Sequence, residues 1–154
     1  NRRQKGSNRY AKARLALART HERIGNIRRN HLHQVSSAIT AKNHGLIAVE
    51  DLNMRGMVRN RHLARAISDA GWSEFIRQLE YKQLWRGGSL VKVDRYFPSS
   101  KTCSFCDFIL GTLPLGVRKW ECPKCGKSHD RDVNAARNIL KQASAHDARG
   151  EGEG

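Results

Sequence analysis

A chain of 154 residues has room for one domain, or for a small domain carrying a still smaller module, which excludes a multi-domain enzyme. Lys and Arg number 29 against 14 Asp and Glu, a net charge of +15 with a pI near 10.5, so the expected partner is a polyanion. Hydrophobic residues make up 38% and aromatic residues 6%, enough for one compact core but leaving basic segments to rely on a partner.

The charge is uneven. Residues 1–49 hold eleven Lys and Arg against the single acid Glu22, which makes the N-terminal arm the basic one. Asn1-Arg2-Arg3 lacks the apolar stretch of a signal peptide and the chain does not begin with Met, so it reads as an internal fragment of a cytoplasmic, nucleoid-associated protein. Apolar runs stay as short as Leu46-Ile47-Ala48-Val49, far below the roughly 20 residues that span a bilayer, and no membrane segment is expected.

From Tyr10 to about Asn43 there is no Pro and a single Gly, and Leu17, Ile24, Ile27, Val35 and Ile39 fall near helical spacing. This predicts one long helix or two. Arg14, Arg19, Arg23, Arg28 and Arg29 project from it on several sides; such a run is often only a solvated face, but the near absence of acids favours nucleic-acid contact. After Gly45 the apolar run to Val49 stops abruptly at Glu50-Asp51, as a buried strand ending in acids would.

Residues 53–62 are polar, basic and aperiodic, which suits a loop. Leu63, Ile67, Phe75, Leu79 and Trp85 then mark a second helical period, with Gly71 weakening its continuity and Trp72, Phe75 and Trp85 expected on the core face. Gly87-Gly88 breaks this helix, and Ser89 to Tyr96 alternates as a strand does before Pro98 closes it. A further helical pattern starts near Asp130, and the small, polar, Gly-rich residues 144–154 predict a disordered tail. The fold class is mixed α/β: a main unit over residues 1–100, a cysteine module over 101–129 and a closing helix over 130–143.

The four cysteines fall as Cys103-x2-Cys106 and Cys122-x2-Cys125 with fifteen residues between the pairs, a zinc-ribbon spacing. Each pair can form a tight knuckle, and two facing knuckles supply four thiolates to a closed, structural Zn²⁺. Disulfides or a redox pair are the alternatives, but two matched pairs in a basic chain without a signal favour zinc, with His129 a bystander. Lys101, Arg118, Lys119, Lys124 and Lys127 surround the cysteines, and Phe105 and Trp120 could stack on unpaired bases. Trp120 is favoured as the cover of the small ribbon core, because so short a module has few other apolar groups.

Glu50 at a strand end and Asp132 at a helix start could converge on a hard metal ion, although Asp130 or Asp132 alone is most simply a helix cap. Three motifs in order carry more. Glu50-Asp51-Leu52-Asn53, then Phe97-Pro98-Ser99-Ser100-Lys101-Thr102-Cys103, then Arg118-x-Trp120-x-Cys122-x2-Cys125-Gly126 leading to Asp130-Arg131-Asp132-x-Asn134-Ala135-Ala136-x-Asn138, resemble TnpB, also called OrfB. The resemblance runs from about Asn1 to Gln142 and places the chain beside the transposon-encoded relatives of type V CRISPR effector nucleases.

What the resemblance implies is a partial RuvC-like domain of RNase H fold, with the zinc ribbon inserted before its last helix. It also implies DNA as substrate, a guide RNA derived from the transposon end, and two Mg²⁺ or Mn²⁺ about 4 Å apart in the complete protein. The family's second catalytic acid falls on Glu50, its third on Asp132, and its zinc ligands on Cys103, Cys106, Cys122 and Cys125. Its first acid would have to precede Asn1, so this chain is expected to hold two of three and to be inactive alone. Asp107 stands where the family usually has Gly, and a slightly strained knuckle is expected there. The competing reading is a zinc-ribbon remnant that binds DNA or RNA without cutting; a DDE-type transposase is disfavoured, because no self-standing Asp, Asp, Glu arrangement appears.

Overall fold

The computed structural model describes residues 4–42, 45–62 and 64–150, with the side chains of 148–150 excepted. The expected core position Leu63 and the last four residues of the tail lie outside the described residues.

Helix α1 (Asn8–Thr40) is one uninterrupted element of 33 residues, about 50 Å long at 1.5 Å per residue. Ser7 starts it, its hydroxyl accepting from the Tyr10 N–H at 3.2 Å. Only its C-terminal end is buried, through Ser36 and Thr40, while Leu17, Ile24 and Ile27 from the predicted apolar stripe are exposed. Strand β1 (Leu46–Glu50) follows and pairs in parallel with β2 (Ser89–Val93), Leu46 opposite Ser89 and Glu50 opposite Val93. A parallel pair needs a crossover, and three helices supply it.

These are α2 (Met54–Val58), α3 (Ala64–Ala70) and α4 (Trp72–Trp85). The expected loop thus holds a short helix, capped by the Asn53 side chain accepting from the Gly56 N–H at 3.0 Å. The second helical period is split at Gly71, whose φ of +60° a side chain rarely adopts and whose missing Cβ would meet Leu32 at 3.1 Å. Strand β2 stops at Val93 instead of running to Tyr96, because the Asp94 carboxylate accepts from the Tyr96 N–H at 2.6 Å and turns the chain.

α4 buries Ile76 and Leu79, but also Gln78, Lys82 and Gln83, against α1. Trp85 is 79% exposed, which corrects its assignment to the core; Trp72 and Phe75 are half-buried with ring centroids 5.9 Å apart. Of the other predicted positions Leu79 is buried and Ile67 half-buried, so the expected face holds except at Trp85.

The cysteine module carries β3 (Lys119–Glu121) and β4 (Ser128–Asp130), antiparallel with Trp120 opposite His129. Helix α5 (Arg131–Gly150) then lies against β1 and β2, with Ala143 fully buried. It extends past residue 143, so residues 144–150 of the predicted disordered tail are helical. Ser144 to Arg149 contains no Pro or Gly, and Asp147 accepts from the Ser89 hydroxyl at 3.0 Å, which ties this turn to β2. No helix among the described residues is long and apolar enough to cross a membrane.

Candidate functional site

The two cysteine pairs build matching knuckles. In the first, the Cys103 N–H donates to Phe108 O at 2.8 Å and the Asp107 N–H to Cys103 O at 2.9 Å; in the second, the Cys122 N–H donates to Lys127 O and the Gly126 N–H to Cys122 O, both at 2.9 Å. The residue after the second cysteine of each pair turns left-handed: Gly126 at φ +68° and Asp107 at +59°. Asp107 is the one non-glycine with positive φ among the described residues, the strain anticipated at this knuckle, and Lys141 of α5 grips its carboxylate at 2.7 and 2.8 Å.

The four sulfurs lie within 4.8 Å of one another, with Cys103 to Cys125 at 3.7 Å and Cys106 to Cys122 at 3.6 Å. These separations are too long for disulfides and match the edge of a tetrahedron, about 3.8 Å, around a metal with 2.3 Å bonds to sulfur. The quartet can therefore hold a metal such as zinc. Burial pushes the Cys122 thiol up, but N–H groups of Cys125 and Lys124 and the neighbouring thiols outweigh it and bring it down to about 7. For Cys106 the Phe108 N–H acts downward, yet burial and the other three thiols push it up to about 12, so a metal must displace protons to occupy the site.

Trp120 is 8% exposed and packs with Cys103, Cys122, Phe108, Leu113 and Val117, the core role expected of it. His129 stands outside the quartet, but its Nε2 is 3.1 Å from the Cys103 sulfur and its ring 4.7 Å from that of Trp120. Burial, with Arg137 adding to it, lowers its pKa. Phe105 remains outside this core, 68% exposed, with the Lys127 ammonium 5.1 Å from its ring centre.

Glu50 is half-buried at the end of β1, and its Oε1 accepts from the Ser99 hydroxyl at 2.8 Å. It lines a cavity of about 260 Å³ together with Asp51, Trp72, Arg77 and Lys92. Asp132 lies in the first turn of α5 with its side chain 76% exposed. The capping role falls to Asp130, whose Oδ1 accepts from the N–H groups of Asp132 and Val133, both at 3.1 Å. The Asp132 carboxylate is thus left for other work, and Arg118 Nη1 stands 3.4 Å from its Oδ2.

Asn134 and Asn138, quoted in the motif above but given no role there, tie α5 to the segment that follows β2. Asn138 Nδ2 donates to Ser99 O at 2.8 Å and to Thr102 O at 2.6 Å; Asn134 Nδ2 donates to Thr102 O at 2.7 Å and its Oδ1 accepts from the Ser104 N–H at 3.0 Å. Their signal was present as two asparagines four apart in an alanine-rich helix. Ser99 thus bridges Glu50 to α5 at Asn138, six residues and about 9 Å along the helix beyond Asp132.

Of the basic residues, Arg14, Arg19, Arg23 and Arg29 are exposed on α1, while Arg28 pairs with Asp69 of α3 at 3.0 Å. Arg19 and Arg23 share a shallow groove with Asn26 and Asn30. Arg118 and Lys119 are exposed on the ribbon, and Lys101, half-buried, bonds Gly111 O at 3.3 Å.

Residues 1–61 match a family described as "Probable transposase", OrfB of IS605, and residues 72–139 match the TNB domain of Cas12f1-like proteins. A Streptomyces pristinaespiralis protein named "Putative RNA-guided DNA endonuclease" is 50% identical over 151 residues, 98% of this chain and 37% of its own length. The Escherichia coli protein InsQ, which bears the same description, is 38% identical over 162 residues, 96% of this chain and 40% of its own. A solved CRISPR-Cas12f ternary complex superposes with a TM-score of 0.60 at 25% identity, over 90% of this chain and 28% of that one. The chain thus spans well under half the length of the relatives it matches.

Proposed function

We propose that this chain, which belongs to the TnpB/OrfB family, is the C-terminal portion of a transposon-associated RNA-guided DNA endonuclease. In this reading residues 1–100 are part of a RuvC-like domain, residues 101–129 a zinc ribbon, and residues 130–143 with the helical turns beyond them the closing helix. The observation that supports it is the link between the elements that carry Glu50 and Asp132: Glu50, at the end of β1, accepts from the Ser99 hydroxyl, and Ser99 O accepts from Asn138 of α5, the helix whose first turn holds Asp132.

The donor set fits hard divalent ions, since carboxylate oxygens at an open edge suit Mg²⁺ or Mn²⁺ and thiolates suit Zn²⁺. When bound, a pair of Mg²⁺ or Mn²⁺ would supply an activated water and stabilise the leaving oxygen of the phosphodiester. Glu50 and Asp132 act as ligands in this scheme, with the third acid contributed from outside this chain. Glu50 holds its carboxylate in one orientation through Ser99, and Arg118 beside Asp132 offers a guanidinium to a DNA phosphate entering there. The exposed arginines of α1, with Lys101 and Lys119, bind the backbones of DNA and of a guide RNA derived from the transposon end.

The test is Glu50→Gln in the full-length protein with its guide RNA. Cleavage should fall by several orders of magnitude while RNA binding is unchanged. Retained cleavage would sink the nuclease reading and leave a nucleic-acid-binding role.

A further inference from the structure

We infer that Ser99 is a positioning residue for Glu50 and that the zinc ribbon acts on the metal-binding carboxylate through it. This rests on the reading of Glu50 as a metal ligand and goes beyond it.

A carboxylate on a strand end can rotate, and a ligand that rotates binds metal weakly until something fixes its plane. Here the Ser99 hydroxyl donates to Oε1 at 2.8 Å, and among the described residues no partner takes Oε2. One oxygen is held and the other is left for the metal.

Ser99 can do this because its own backbone is fixed on both sides. It is 7% exposed, its N–H donates to Phe97 O at 2.7 Å, and its carbonyl accepts from Asn138 at 2.8 Å. The turn that follows is equally tied: the Lys101 and Thr102 N–H groups donate to Pro98 O at 3.1 and 3.0 Å, and the Thr102 hydroxyl donates to the same oxygen at 2.9 Å. Thr102 O takes amide hydrogens from both asparagines, and Asn134 holds the Ser104 N–H beside Cys103. Asn134 and Asn138 are 1% and 2% exposed, so these bonds do not exchange with water. From Cys103 to Glu50 the hydrogen bonds thus run through Ser104, Asn134, Thr102, Asn138 and Ser99.

The hydroxyl is separable from the latch. Ser99 joins the latch through its backbone and reaches Glu50 through its side chain, so Ser99→Ala removes the one and leaves the other. A residue with a purely structural role would show its loss in zinc content or unfolding temperature and leave divalent-metal affinity alone.

The experiment measures Mn²⁺ binding by electron paramagnetic resonance on the full-length, guide-loaded protein, with cleavage as a second readout. Ser99→Ala should weaken Mn²⁺ binding about tenfold with zinc content unchanged, and Ser99→Thr, which keeps the hydroxyl, should restore most of it. Asn138→Ala should weaken binding in the same direction from the other side of Ser99. Ser99→Cys keeps the side-chain volume and answers the same question if the alanine variant yields little folded protein. Unaltered Mn²⁺ affinity in Ser99→Ala, beside its loss in Glu50→Gln, overturns the inference while the nuclease reading stands. Unaltered affinity in Asn138→Ala alone overturns the ribbon's part in it. Mn²⁺ binding that survives Glu50→Gln overturns the metal-site reading itself, and this inference with it.

Discussion

Asp107 and Gly126 occupy the same place in the two knuckles, at φ of +59° and +68°, yet only Asp107 must hold a side chain there. The left-handed region costs an L-residue roughly 1 kcal/mol, less for Asp than for most. The ion pair with Lys141 offsets part of this, though both groups are 62% exposed and water screens them. Asp107→Gly should therefore leave thermal stability within about 0.5 kcal/mol, since relief of strain and loss of the pair oppose each other. Asp107→Leu keeps the strain, loses the pair, and should cost about 1 kcal/mol or more in denaturant unfolding. A stabilised leucine variant would show that the knuckle carries no strain.

The spacing of the four sulfurs calls for one zinc per chain. Elemental analysis of protein purified without chelator should find about one equivalent, bound with release of protons because thiols become thiolates. Zinc retention should accordingly weaken as pH falls below neutrality, because protons compete with the metal for the sulfurs. Removal by a strong chelator should expose Trp120, now 8% exposed, and red-shift its fluorescence. Cys122→Ser should reproduce that shift without chelator, and a ribbon that keeps its spectrum metal-free would remove zinc from the account.

The charge on α1 makes a quantitative claim about salt. Arg14, Arg19 and Arg23 are exposed, and each that contacts a phosphate should add about 0.7 to 0.9 to the slope of log affinity against log salt. Arg19→Ala and Arg23→Ala should each lower that slope by roughly one such step, whereas Arg28→Ala should lower it less, because Arg28 is already engaged with Asp69. Filter binding across a salt series measures it, and an unchanged slope in all three variants would reduce α1 to a solvated face.

What was legible in the sequence followed the strength of the local chemistry. Four cysteines at fixed spacing can close one tetrahedron, and an apolar run ending sharply in Glu50 can hardly be anything but a strand end, so both survived into the structure. The α1–α4 interface was only partly announced, because most of its buried positions are polar. Ser36, Thr40, Gln78, Lys82 and Gln83 lie inside while Ile24, Ile27 and Trp85 lie outside, so hydropathy period found Leu79 but missed the polar positions beside it. Only the partner helix makes these side chains buriable: the Lys82 ammonium spends its three hydrogens on His33 O, Ser36 Oγ and Ser37 Oγ, at 2.8, 2.7 and 2.8 Å. The helical end of α5 was hidden in the same way, since its anchor, Ser89 to Asp147, spans 58 positions of sequence.

That polar interface reaches the surface at Glu74, which gives it a measurable pH dependence. Glu74 Oε1 accepts from Gln78 Nε2 at 2.9 Å, the Ser36 hydroxyl lies 3.0 Å from Gln78 Oε1, and Arg77 donates two hydrogens to the Glu74 carboxylate at 2.8 Å. The hydrogen bond from Arg77, followed by that from Gln78, holds the Glu74 carboxyl down at about 2, against 4.5 for a free glutamate. A carboxyl depressed in the folded state binds fewer protons folded than unfolded, so its stabilising contribution is full above about 4.5 and is lost as pH falls towards about 2. Glu74→Gln should therefore be less stable than the parent at pH 7, and the gap should close progressively below pH 4.5. Any zinc lost in acid is lost from both proteins, and the difference between their unfolding midpoints isolates Glu74. A gap that stayed constant from pH 7 to pH 3 would show that the pair with Arg77 does not persist in solution.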